Sequence, residues 1–121
     1  MNKLRDSLEK ILVWQERNRP EYATTFQPGL TEEEIEEKLK DVDGWEYRDN
    51  ALHTTFEFND FKDAFSVMTR IAFEAEAQNH HPDWTNVYNK LHISLSTHDA
   101  DGVTNNDFAL AKTIDQIIEG E

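Results

Sequence analysis

Three of the five histidines in this 121-residue chain stand where side chains are readily aimed into a cleft. His80 and His81 close a long helical pattern and precede Pro82, and His98 ends an alternating stretch just before the polar loop Asp99-Ala100-Asp101-Gly102. Imidazole is the side chain best suited to moving protons near neutral pH. A pair of imidazoles, a third and nearby acids are what a proton-transfer site requires. Structural roles compete for the same residues. A His-His-Pro at a helix end also serves as a polar C-terminal cap. Asp107 stands three residues after Thr104, where an acid serves the helix terminus. Trp84 and Tyr88 fit equally as core aromatics. A metal set of His80, His81, His98 and an aspartate is conceivable. Adjacent histidines seldom point at one ion, however, and no H-E-x-x-H motif is present, so no metal is expected. Gly-rich phosphate loops and a nucleophile elbow are absent as well.

The elements that must hold these residues are legible from periodicity. Leu4, Leu8, Ile11 and Leu12 fall at helical spacing over residues 4–17, and Pro20 ends that segment. Pro28-Gly29 marks a loop. Thr31 with Glu34 three residues on reads as a capping box for a short helix carrying Ile35 and Leu39 on one side. Residues 45–48 read as a short strand and Asp49-Asn50 as a turn. Over 52–58, Leu52, Thr54, Phe56 and Phe58 alternate with polar residues as in a half-buried strand. Asn59 or Asp60 caps a helix running to about Gln78, whose expected apolar stripe is Phe61, Ala64, Phe65, Met68, Ile71, Ala72 and Ala75. Val67 and Phe73 fall off that stripe and read as surplus apolar surface for a partner subunit. Residues 86–88 and 91–97 read as two strands around an Asn89-Lys90 turn, and Thr104 opens a last helix with Phe108, Ala111, Ile114 and Ile118 inward. Strand, strand, helix, strand, strand, helix implies an α+β fold, an antiparallel sheet with helices packed on one face.

Composition narrows the function classes. Twelve basic against 25 acidic residues give a formal charge of −13. Such a surface repels phosphate backbones, so no direct nucleic-acid binding is expected, and a role near DNA would run through a protein partner. No apolar run approaches the roughly 20 residues of a membrane span. The chain has no cysteine, which excludes disulfides and zinc-thiolate sites and fits a cytoplasmic or a nuclear home.

The segment Glu76-Ala77-Gln78-Asn79-His80-His81-Pro82, followed by Tyr88, His98 and Asp107, resembles the signature of the pterin-4a-carbinolamine dehydratases. That signature is an acid, three residues, His-His-Pro, an aromatic, a histidine ten residues further on, and an aspartate. The resemblance covers about residues 31–119. It implies a four-stranded antiparallel sheet with helices on one side, a homodimer or homotetramer, and no metal or organic cofactor. It implies as substrate a 4a-hydroxytetrahydropterin, which loses water to give quinonoid dihydropterin. On the same ground His80, His81 and His98 line the pterin pocket, with His81 the principal acid–base group. Glu76 and Asp107 belong to the pocket's polar surroundings, and Trp45 borders it. Animal members also act as a dimerisation cofactor of a homeodomain transcription factor, so the alternative function is a protein-binding coactivator. Two features depart from the family pattern. Asn106 stands where some animal members carry arginine, and residues 1–30 read as an N-terminal extension, with a helix of its own, to a dehydratase domain over 31–121.

Overall fold

The computed structural model describes residues 28–120, and the helix read over 4–17 lies outside them. Helix α1 (Glu32–Leu39) starts as its capping box requires. The Thr31 hydroxyl accepts from the Glu34 N–H at 3.2 Å, and the Glu34 carboxylate takes the Thr31 N–H at 3.0 Å. Ile35 is its buried residue, while the glutamates face solvent. Strands β1 (Glu46–Arg48) and β2 (Ala51–Glu57) form a hairpin. Its turn residues Asp49 and Asn50 both take positive φ, 51° and 60°, the backbone twist that a two-residue connection favours.

Helix α2 (Phe61–Gln78) begins at Asp60, whose carboxylate accepts from the Asp63 N–H at 2.8 Å. Its buried residues are Ala64, Val67, Ile71 and Ala75, which corrects the expected stripe. The sequence pattern merges two rows of this helix. Val67 is fully buried and offers nothing to a partner, whereas Phe61 and Phe65 are 50% and 56% exposed and Ala72 is exposed. The cause is volume: small residues and Val67 let the helix lie close to the sheet, and the bulkier phenylalanines fall to its shoulder.

Strands β3 (Asp83–Val87) and β4 (Lys90–Leu95) follow. The first starts three residues earlier than the sequence suggests, and the turn is Tyr88-Asn89 rather than Asn89-Lys90. Two side chains fix this register. The Asn86 amide donates to the carbonyls of Tyr88 and Lys90, and the Asn89 amide donates to the Phe58 carbonyl, so Tyr88 takes the left-handed turn position.

The sheet order is β1-β2-β4-β3, antiparallel throughout. Leu52, Leu91, Ile93 and Leu95 on one face are fully buried against α2 and the last helix, α3 (Asn105–Glu119), which contributes Phe108, Leu110, Ala111 and Ile114. Each such side chain stabilises the fold by about 1.5–3 kcal/mol relative to exposure. The opposite face is polar and carries His53 and His92. Among the described residues no helix is long and apolar enough to cross a membrane.

Candidate active site

The histidine pair is set by the way α2 stops. Asn79 takes a left-handed conformation (φ 52°), and the His80 N–H returns to the Ala75 carbonyl at 3.1 Å, closing the helix as a Schellman motif does. Pro82 then fixes an extended path into β3, so the two rings leave in different directions. His80 turns inward and is 12% exposed, with its Nε2 at 2.5 Å from Oδ1 of Asp107. His81 stays 60% exposed and places its Nε2 at 2.8 Å from Oε1 of Glu76, one turn back on α2.

Asp107 is completely buried. Its Oδ2 accepts from the Thr104 N–H and the Thr97 hydroxyl, both at 2.8 Å. It therefore serves two ends at once. It completes the capping box of α3, as the spacing requires. It also orients His80 across a sequence separation of 27 residues. With the carboxylate as acceptor, His80 carries its proton on Nε2, and Nδ1 is the ring nitrogen left for a ligand. His81 is held by Glu76 in the same way.

His98 opens a 3-10 turn (His98–Ala100) and is exposed. Its neighbour Thr97 is the hydroxyl that bonds both Asp107 and Thr104, so the third histidine is tied through the backbone to the His80–Asp107 pair. Asn106, half-buried at the start of α3, flanks the same carboxylate. Beside His81 runs a groove of about 600 Å³, with Glu76, Pro82 and Trp84 at that end and Phe65, Met68 and Phe73 along α2. Among the described residues no group of three or more histidine or acidic side chains is arranged to hold a metal ion.

Trp45 stands apart from this constellation. It precedes β1, at the sheet edge opposite β3, and its indole N–H donates to Asp115 at 2.9 Å. Burial pushes the Asp115 carboxyl above its ordinary range, and the Trp45 hydrogen bond opposes that shift. Trp45 lines a separate hollow with Arg48, His53 and His92. There His53 Nδ1 lies 3.1 Å from His92 Nε2, and His92 Nδ1 lies 2.9 Å from the Thr55 hydroxyl. Burial, then the charge of Arg48 and then His92, hold His53 below the usual imidazole value. The unfolded chain therefore binds this proton at a higher pH than the native protein does, and stability falls as pH drops from about 6.5 through the native His53 value. His53→Gln is expected to flatten that part of the acid side of a melting-temperature profile. An unchanged slope would mean that His53 does not titrate there.

Thr97, absent from the candidates read in the sequence, gives its hydroxyl to the Asp107 carboxylate that holds His80. Its signal was available: a hydroxyl continues the inward row Leu91, Ile93, Leu95, where an apolar residue would be expected.

Residues 28–117 match the family model described as pterin 4 alpha carbinolamine dehydratase. A protein of Christiangramia forsetii named as a pterin-4-alpha-carbinolamine dehydratase is 66% identical over 90 residues, covering 74% of this chain and 93% of that one. One of Prochlorococcus marinus bearing the same name is 49% identical over 90 residues, covering 74% and 94%. Among solved structures, a transcriptional coactivator/pterin dehydratase from Brucella melitensis superposes with a TM-score of 0.72 at 41% identity, covering 74% of this chain and 97% of that one.

Proposed function

The chain belongs to the pterin 4 alpha carbinolamine dehydratase family, and we propose that His80, His81 and His98 are the groups that carry its dehydration of 4a-hydroxytetrahydropterin. The protein is a hydro-lyase. The substrate's C4a–O bond breaks, and its hydroxyl takes a proton and departs as water. The N5 lone pair forms the C4a=N5 bond as N5 gives up its proton, which leaves the quinonoid dihydropterin. One proton is delivered and one removed, so two imidazoles on one ring suffice.

His81, exposed at the mouth of the groove and steadied by Glu76, delivers the proton to the departing hydroxyl. His80, fixed through Nε2 by Asp107, accepts from N5 at Nδ1 and holds the ring. His98, in the 3-10 turn that follows β4, shares in binding. The observation that carries this reading is the commitment of the Nε2 of each adjacent histidine to its own carboxylate, Asp107 for His80 and Glu76 for His81. A stopped-flow record of 4a-hydroxytetrahydropterin decay tests it. Decay is expected to accelerate in proportion to protein and to stay accelerated after exhaustive chelation. Activity that vanishes with EDTA and returns with zinc would sink the metal-free mechanism.

A homodimer or homotetramer belongs to the same proposal. Among the described residues β3 is an edge strand of the sheet, and Val87 and Tyr88 at its end are 68% and 62% exposed. Light scattering at micromolar concentration is expected to report at least a dimer; a strict monomer counts against it.

A further inference from the structure

We infer that Thr97 is a positioning residue for the dehydration. Its hydroxyl holds the Asp107 carboxylate, and through it the proton on Nε2 of His80, so turnover depends on a group two hydrogen bonds away from the ring. The inference rests on the reading of His80 as the base that takes the N5 proton. To that reading it adds the group that sets the tautomer and the aim of the base.

Donor and acceptor counts give the direction of every bond in this network. An ionised carboxylate only accepts, so Thr97 gives its one hydroxyl proton to Oδ2 of Asp107 at 2.8 Å. The Thr104 hydroxyl, 2.7 Å from Oγ1 of Thr97, must then be the donor between the two threonines. Oγ1 of Thr104 in turn accepts the Asn106 N–H at 3.2 Å. A one-way chain results, from the Asn106 N–H to Thr104, from Thr104 to Thr97 and from Thr97 to Asp107. At its end Oδ1 of Asp107 takes the Nε2 proton of His80 at 2.5 Å. Bonds that run in one direction polarise and strengthen one another. Thr104 and Asp107 are both fully buried, so bulk water does not compete for them.

The carboxylate must also be aimed, because its terminal torsion is intrinsically broad. Oδ1 stays toward His80 because Oδ2 is held by two donors, the Thr104 N–H and the Thr97 hydroxyl, both at 2.8 Å. The first belongs to the cap of α3 and serves that helix with or without a histidine nearby. The second comes from the end of the sheet. Thr97 cannot drift, since its main chain is bonded on both sides. Its N–H meets the Gly102 carbonyl at 2.8 Å, and its carbonyl accepts the N–H groups of Ala100 at 3.1 Å and Gly102 at 3.4 Å. His98 is the next residue, so one short segment carries both a candidate pterin-binding ring and the hydroxyl that aims the carboxylate of another. Residue type agrees with this role. Thr97 continues the inward row Leu91, Ile93, Leu95, where valine would match its shape without burying a polar group. A hydroxyl there is favourable only through its bonds to Thr104 and Asp107.

The test compares Thr97→Val, which keeps the branched shape without the hydroxyl, with Thr97→Ser, which keeps the hydroxyl. In Thr97→Val the carboxylate retains only the cap N–H on Oδ2 and can turn away from His80. Its kcat on 4a-hydroxytetrahydropterin is expected to fall about 10–100-fold, as when a group one bond behind a ligating histidine is lost from a metal site. KM is expected to stay nearly unchanged, and serine to restore most of the turnover. Nitrogen-15 NMR of the His80 ring is expected to show Nε2–H alone in the parent and in Thr97→Ser, with Nδ1–H appearing in Thr97→Val. A purely structural role would lower the melting temperature and move neither the tautomer nor the kcat of folded protein. Ile114→Val, in the core outside the site, supplies that comparison and is expected to lower the melting temperature with kcat unchanged. Parental kcat in Thr97→Val would overturn the inference. So would a loss of kcat that leaves the Nε2–H tautomer intact or that serine fails to restore. His80→Ala, measured alongside, separates the two levels of the argument. If it keeps parental turnover, His80 is not the base and both readings fall. If it loses turnover while Thr97→Val does not, only the positioning role of Thr97 falls.

Discussion

Replacing His81 with alanine is expected to lower kcat by about 10²–10⁴-fold, the range for a lost general acid–base group. Pterin binding is expected to change far less, since His80, His98 and the groove wall remain. The geometry separates this result from a structural one. His81 is 60% exposed, and among the described residues its ring bonds the similarly exposed Glu76, so alanine removes no buried contact there. Its effect on stability should stay within about 0.5 kcal/mol, as for surface substitutions generally. Glu76→Gln keeps a hydrogen-bond partner for the ring, so its expected loss of kcat is smaller than that of His81→Ala. His80→Ala differs again. It strips a hydrogen bond from a fully buried carboxylate and is expected to cost about 1–3 kcal/mol in addition to activity. Measuring kcat and melting temperature on the same samples resolves these cases. A well-folded His81→Ala protein with full turnover would remove His81 from the mechanism.

Most of the fold was legible because local rules and the tertiary structure agree. Both capping boxes, the Asp60 cap, the stop before Pro82 and the alternation in β2 and β4 are short-range effects that a sequence carries openly. The errors arose where tertiary volume or a side-chain bond decides. Val67 and Phe65 are both apolar at plausible helical positions, and only the distance between α2 and the sheet says which one fits beneath. The β3–β4 turn moved by one residue because the amides of Asn86 and Asn89 capture particular carbonyls. Of the site, the signature identified the residue types but not their partners. That His80 rather than His81 takes the buried aspartate depends on the left-handed turn at Asn79. Trp45 precedes β1, the strand at the sheet edge opposite β3, and its indole bonds Asp115, a pairing across 70 residues that no local pattern carries.

Asp107→Asn is expected to lower kcat by about 10²–10⁴-fold while the protein remains folded, and it tests the inner half of the site. The asparagine carbonyl can still accept from the Thr104 N–H and the Thr97 hydroxyl, so the cap of α3 survives. Its amide then faces Nε2 of His80 with a donor where the carboxylate oxygen offered an acceptor. Two N–H groups cannot meet there, so the ring must move its proton to Nδ1, the atom that is to accept from the pterin N5. The base is thereby switched off without being removed. The same exchange in a serine-protease triad costs about 10⁴-fold by the same tautomer argument. Loss of the charge-assisted bond should lower stability by only about 1–2 kcal/mol. Asp107→Ala is less informative. It orphans the Thr104 N–H, the Thr97 hydroxyl and His80 together, at about 1–3 kcal/mol for each buried group, and it threatens the fold itself. Nitrogen-15 NMR of the His80 ring is expected to show Nε2–H in the parent and Nδ1–H in Asp107→Asn, alongside the fall in kcat. If turnover stays near parental while the tautomer has changed, Asp107 is only the cap of α3, and proton removal from N5 belongs to another group.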